Sequence, residues 1–358
     1  MNTGILPSVA ICFGLMAMAV LFTACAHLPP GREMAACPAS MAHRLQADVQ
    51  HLAGGIGERN LYHPDKLEAA AAWIETEFKR MGFNIVRRLP VKVQGKDYAL
   101  SADATAFNIE AVLPGTTLGD ENLVIGAHYD SKVAMPKWNA HWPPTPESPG
   151  TPGANDNASG VAAVLELARQ FAGHPQARTL RFVAFVNEEP PFYQTDAMGS
   201  LAYARGLRKQ GLSKVRMITP ETLGCYSSRP HSKRKGAAKL LAAILDLPDR
   251  PDYVSFSGNL GSRHWVADCA RRFASHSALE VRTVALPAVV KKVAWSDDWS
   301  FWQCGYPAFA VTDTAYLRSD QYHEVDDTPD KLDYQPMAQV VRALALMLKE
   351  RANNPKPW

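Results

Sequence analysis

Leu123-Val124-Ile125-Gly126-Ala127-His128-Tyr129-Asp130 is a run of five uncharged residues that ends abruptly in an imidazole and a carboxylate. A short apolar run with polar ends reads as a strand buried on both faces. The same grammar returns three times. Leu180–Val186 leads into Asn187-Glu188-Glu189, Val215–Thr219 into Pro220-Glu221, and Pro307–Thr312 toward Tyr322-His323-Glu324. Ligands of open α/β sheets bind outside the carboxyl ends of the strands, so these runs would bring His, Asp and Glu to one edge. Imidazole plus carboxylate suits zinc or a similar divalent ion. Taken singly, an HxD pair is also a surface pair and a Glu-Glu a solvated helix start. Their joint occurrence at strand ends is what points to a site.

Between the strands the periodicity turns helical. His43–Leu52 and Lys66–Met81 are amphipathic, the second with Leu67, Ala70, Ala71, Ile74 and Phe78 at helical spacing and Gly82 placed to close it. Further helices are expected over Val161–Ala172, Leu201–Gln210, Arg263–Ser275 and Gln335–Arg351, with another strand over Asn108–Leu113. Alternating strands and helices predict an α/β fold with a mostly parallel, doubly covered sheet. No linker divides residues 40–352, whereas 225–262 read as irregular and polar. Residues 131–153 break the rhythm with six prolines plus Trp138, His141 and Trp142. A long insertion rich in aromatics reads as an active-site loop, with Trp138 and Trp142 able to contact substrate; its plainer reading is a surface insertion that never touches substrate.

The 358 residues are 47% hydrophobic and carry a net charge of +3. That suffices for a sizeable core and leaves no nucleic-acid footprint, since the one dense basic cluster, Lys233-Arg234-Lys235, reads as a solvated loop. Ile5–Ala24 is uncharged and nearly all apolar, and Pro29, Pro30 and Gly31 follow soon after. Residues 1–25 therefore read as a signal peptide or a membrane anchor, with 26–39 as a tether. Phe22-Thr23-Ala24-Cys25 resembles a bacterial lipobox, which would put a lipid on Cys25, although Phe22 stands where an aliphatic residue is usual. Either way the chain is expected to be exported and held at a cell-envelope membrane. Cys37, Cys225, Cys269 and Cys304 read either as disulfide partners or as buried thiols, and no CxxC pair suggests a thiolate zinc site.

Gly153-Ala154-Asn155-Asp156-Asn157-Ala158-Ser159-Gly160 precedes the Val161 helix, where an acid is either an ordinary cap or a bridge between metals. With AHYDS, GANDNASG, NEEP, YHEVDDTPD and GYPAFAVTD in this order, the chain resembles the co-catalytic zinc aminopeptidases of peptidase clan MH. The bacterial leucyl-type aminopeptidases belong there, and glutamate carboxypeptidase and the glutaminyl cyclases are relatives. The resemblance covers roughly residues 40–350. It implies a single zinc-exopeptidase domain with a central, mostly parallel mixed sheet covered by helices on both faces. It also implies two zinc ions (one in a cyclase), with His128 and Glu221 on one, Glu189 and His323 on the other, and Asp156 bridging. Asp130 would orient the His128 imidazole, and Glu188 would be the general base and acid acting on peptide substrates. Two features depart from the family pattern. Pro220 stands before Glu221 where an apolar residue is usual, and Asp298 stands in Ser296-Asp297-Asp298 where His is common; Asp297 is expected beside the substrate. A one-zinc glutaminyl cyclase, or a carboxypeptidase or dipeptidase of the clan, is the alternative activity.

Overall fold

Why the central runs are apolar throughout, rather than alternating, follows from where they sit. A computed structural model describes residues 25–31, 39–98, 100–133, 150–227, 248, 250–290, 294–356 and 358. Nine strands form one sheet: β1 (Cys25–Leu28), β2 (Ile85–Val93), β3 (Ala104–Leu113), β4 (Leu118–His128), β5 (Arg178–Phe185), β6 (Val215–Glu221), β7 (Tyr253–Asn259), β8 (Glu280–Leu286) and β9 (Ala308–Thr312), in the order β1-β8-β7-β9-β6-β4-β5-β3-β2. The central strands β5, β4, β6 and β9 are mutually parallel. β3 and β7 join them antiparallel on either side. The sheet is thus mixed, as expected, with its parallel part at the centre.

Along β4, Leu123, Ile125 and Ala127 pack into one core and Val124 into another. The first core lies under helices α1 (Ala39–Val49), α2 (Pro64–Arg80), α3 (Ser159–Phe171), α5 (Arg263–Ala274) and α7 (Tyr334–Asn353). The second lies under α4 (Gly199–Lys209) and α6 (Asp298–Gln303), with Tyr203, Ala204, Leu207 and Phe301 meeting Val183, Phe185 and Met217. A strand with a core on each face has no exposed side to alternate toward.

Gly82 ends α2 in the left-handed conformation, with φ 88°, as its sequence position predicts. Besides β1, three strands were not legible. β2 carries Arg87, Arg88 and Lys92 at the sheet edge, β8 alternates charged with apolar residues, and β7 lies inside the stretch 225–262 expected to be irregular. Cys25–Leu28, in the expected signal and tether region, pairs with Val281–Val284 at the other edge. Ile5–Ala24, Cys37, Trp138, His141, Trp142 and Lys233-Arg234-Lys235 lie outside the described residues. Cys225, Cys269 and Cys304 are free thiols, and among the described residues no helix is long and apolar enough to cross a membrane.

Candidate metal centre

Because β4, β5, β6 and β9 run in one direction, their carboxyl ends meet at one edge. There β4 ends in His128, β5 runs on through Val186 and Asn187 to Glu188 and Glu189, and β6 ends in Glu221. The turn after β5 comes at Asn187, whose φ of 59° is a left-handed conformation that Asn tolerates better than most residues. The two acids beyond it are fixed by Asp130, whose carboxylate oxygens accept the backbone N–H of Glu188 and of Glu189, each at 3.1 Å. Asp130 was expected to orient the His128 imidazole through its carboxylate. Instead, His128 Nδ1 lies 3.1 Å from the Asp130 main-chain carbonyl and 3.7 Å from its carboxylate. The two carboxylate oxygens each accept one of the two amides, and against the lowering effect of burial the carboxylate still helps to raise the His128 pKa.

Asp156 sits in a kink before α3, with non-helical backbone at Asp156 and Asn157 and a cis peptide between them. It is no ordinary helix cap. Its Oδ1 is 3.3 Å from His128 Nε2 and its Oδ2 is 3.0 Å from His323 Nε2, so one carboxylate faces both imidazoles. Glu221 Oε2 lies 3.4 Å from His128 Nε2, and Glu189 Oε1 lies 3.6 Å from His323 Nε2. Two sets of three donors result, His128–Asp156–Glu221 and Asp156–Glu189–His323, with the donor atoms of each set within 4.8 Å of one another. Pro220 does not disturb this, for it lies beyond the last β6 residue paired with β4. Its carbonyl accepts from Asn157 Nδ2 at 3.0 Å, and the same amide also donates to Glu221 Oε2 at 2.9 Å.

The donor set fits divalent metal. Asp156, Glu188 and Glu189 are all buried, and Glu189 Oε1 has no hydrogen-bond partner. Burial pushes the Glu188 carboxyl well above the usual range; His128 opposes this, while the neighbouring Glu189 and Glu221 carboxylates add to the rise. Burial likewise lifts Glu189 to about 7. At Asp156 burial is outweighed by hydrogen bonds to His128 and His323, which hold the carboxyl below its ordinary value. Buried carboxylates crowded in this way need compensating positive charge, and divalent ions between the two imidazoles would supply it.

Several supports were not foreseen. Asp327 accepts the backbone N–H of Asn155 at 2.8 Å and of Asp156 at 3.1 Å. Ser296 Oγ donates to Glu221 Oε2 at 2.8 Å. Lys132 Nζ lies 2.6 Å from His323 Nδ1. The buried Arg59 guanidinium donates to the carbonyls of Tyr129 and Gly153, stitching the end of β4 to the Asp156 loop. Asp297, expected beside the substrate, is fully buried and lines neither of the two cavities at the site. Its neighbours Ser296 and Asp298 reach the wall, and Asp297 turns inward, near enough for His128 to lower and Glu221 to raise its carboxyl, which burial leaves at about 7. A cavity of about 320 Å³ opens onto Asp156, Glu188, Glu189, Glu221 and His323. The expected active-site loop begins and ends beside it, since Thr151 N donates to Lys132 O and Lys132 lines the cavity.

Residues 108–348 match Peptidase family M28. The chain belongs to that family. An M28 chain is a zinc-dependent peptidase, which accords with the buried imidazole and carboxylate donors. An uncharacterised Escherichia coli K12 protein, YfbL, is 32% identical over 305 residues, 85% of this chain and 87% of its own. The Bacillus subtilis zinc aminopeptidase BSAP shares the fold, with a TM-score of 0.63 at 14% identity over 91% of this M28 chain and 98% of its own. A Fimbriiglobus ruber glutaminyl cyclase does so as well, with a TM-score of 0.59 at 20% identity over 89% and 97%.

Proposed function

We propose that this M28 chain is an aminopeptidase that binds two zinc ions, one through His128 and Glu221, the other through Glu189 and His323, with Asp156 shared. The observation that carries this reading is the second complete donor set. A single zinc would need only one of the two donor sets, yet both are complete, and Glu221 is held beside His128 by Asn157 and Ser296. Bound zinc would acidify a water and polarise the peptide carbonyl. The chain's own part is to fix the ligands and move a proton. Glu188, whose Oε2 is 3.8 Å from His128 Nε2, stands beside the donor sets and belongs to neither. Its carboxylate accepts a proton from the attacking water and returns it to the leaving amine. Asp130 keeps Glu188 and Glu189 turned to the same side. The substrate enters by the 320 Å³ cavity.

Elemental analysis together with a substrate panel tests this. Two zinc ions per chain and turnover of aminoacyl-nitroanilides are expected. One zinc per chain with cyclisation of N-terminal glutaminyl peptides would replace the reading with the cyclase.

The uncharged run Ile5–Ala24 and Cys25 support an exported protein held at a membrane by a lipid on Cys25. Cys25→Ser is expected to release it from membranes. Retention of an unprocessed Cys25→Ser chain would favour an anchor helix instead.

A further inference from the structure

The cavity of about 320 Å³ carries opposite charge on its two sides. Toward His128 stand Glu188 and Glu221, with carboxylate oxygens 3.8 and 3.4 Å from His128 Nε2. Toward His323 stands Lys132, half-buried, whose Nζ lies 2.6 Å from His323 Nδ1. Among the described residues lining the cavity, Lys132 carries the one ammonium, while Pro190, Tyr193, Trp295 and Tyr322 give it a largely apolar wall. The contact between Lys132 and His323 belongs to the metal-free site. Lysine only donates, so the contact requires His323 Nδ1 to accept. A neutral histidine that gives Nε2 to a metal keeps its hydrogen on Nδ1, and two donors then face each other. With metal bound, the Lys132 ammonium loses that acceptor and is available to an anion in the cavity it lines.

We propose that Lys132 binds the terminal carboxylate of very short peptides, so that the enzyme acts on dipeptides above all. A dipeptide's carboxylate carbon lies three bonds beyond the carbonyl carbon that is attacked, about 4 Å away. Its ammonium is drawn to the Glu188 and Glu221 side and repelled by Lys132, so its carboxylate points toward His323 and Lys132. Without Lys132, the carboxylates of Asp156, Glu188, Glu189 and Glu221 on the same wall would repel that anion. The volume is at the small end of the roughly 300–1,000 Å³ usual for ligand pockets, which suits two residues better than a long chain. A longer peptide continues past its second residue as an amide and brings no charge to Lys132. The inference rests on the aminopeptidase reading, because it needs the free amino end to lie on the Glu221 side.

The test compares leucylglycine with leucylglycinamide on the full zinc-loaded chain, since the two differ only in the terminal charge. The acid is expected to have a KM roughly tenfold or more below that of the amide, as a hydrogen bond between charged groups gives. Lys132→Met should raise KM for the acid to that of the amide, leave the amide and the zinc content unchanged, and be partly reversed in Lys132→Arg. Should the methionine variant not fold, the wild-type pair decides. Calorimetric binding of both compounds to the zinc-loaded Glu188→Gln chain reads the site without turnover. Cleavage of N-acetylleucylglycine as fast as leucylglycine would sink the aminopeptidase reading, and the preference for acid over amide would still establish the carboxylate site. Equal KM and equal binding of acid and amide in wild type overturn the inference. So does a Lys132→Met chain that loses zinc or slows on both substrates alike, which would make Lys132 a support for His323.

Discussion

Asp327 Oδ2 accepts the backbone N–H of Asp156 at 3.1 Å, so the carboxylate shared by both donor sets is itself held by a buried carboxylate. The other oxygen of Asp327 takes the amide of Asn155. The kink before α3 therefore keeps its shape through an acceptor more than 170 residues away in sequence. Asp327→Asn exchanges one acceptor for a donor facing an N–H. Loss of such outer supports typically costs about ten- to a hundredfold in metal affinity. Titration against a competing chelator should find weaker zinc binding in that range, and unchanged affinity would make Asp327 a mere loop tie.

Glu188→Gln separates proton transfer from metal binding. The variant should keep wild-type zinc content and lose turnover by about a hundred- to ten-thousandfold. Elemental analysis beside kcat checks both halves. Loss of zinc would mean that Glu188 and Glu189 have been assigned each other's roles.

The centre of the fold and three of the five candidate metal donors could be read in the sequence for one physical reason. Parallel strands buried on both faces leave uninterrupted apolar runs, and His128, Glu188, Glu189 and Glu221 follow such runs within a few residues. The supports were hidden because they depend on tertiary partners. Arg59 sits in Gly57-Glu58-Arg59-Asn60, where no periodicity marks it, yet it joins the ends of two distant loops. Asp130 was in view as a carboxylate beside a histidine, but its true partners, the amides of Glu188 and Glu189, lie on another strand's exit. Asp297 and Asp298 are adjacent and identical in type, and only the start of α6 decides which one reaches a cavity. Strands β2 and β8 carry charge among their apolar residues and so left no continuous run.

The metal-free protein should lose stability as pH rises from about 4 to about 7. Burial lifts Glu189 and Asp327 to about 7 and Asp313 to about 6. Below the ordinary carboxyl value these groups are neutral in both states and cost nothing. Between that value and the raised one, the unfolded chain ionises while the folded chain keeps its protons, so folding weakens. Asp156, held low, contributes only below this window. Denaturant midpoints of the chelated protein across pH 4–8 measure the slope, and a flat or rising profile would contradict the burial of these acids. Added zinc should stabilise most at the upper end, where its ligands have shed their protons.

Two glycines predict opposite signs. At Gly160, in the first turn of α3, a Cβ would fall 2.3 Å from Asn157 Oδ1 and 2.4 Å from Pro220 O. Asn157 is the residue that holds Glu221, and its Oδ1 already accepts the amides of Gly160 at 2.9 Å and Thr222 at 3.2 Å. Gly160→Ala must push α3 away from β6, at a cost of about 1–3 kcal/mol for an overpacked contact, and should weaken zinc at the His128–Glu221 set more than at the His323–Glu189 set. Gly206 lies within α4, and a Cβ there meets nothing within 4 Å. Gly206→Ala should stabilise by about 0.5–1 kcal/mol through helix propensity alone and leave zinc binding untouched. Urea midpoints and stepwise zinc titration of the two variants distinguish these outcomes. Were Gly160→Ala as stable as wild type with both zinc sites intact, the close packing of α3 on the end of β6 would not be what positions Glu221.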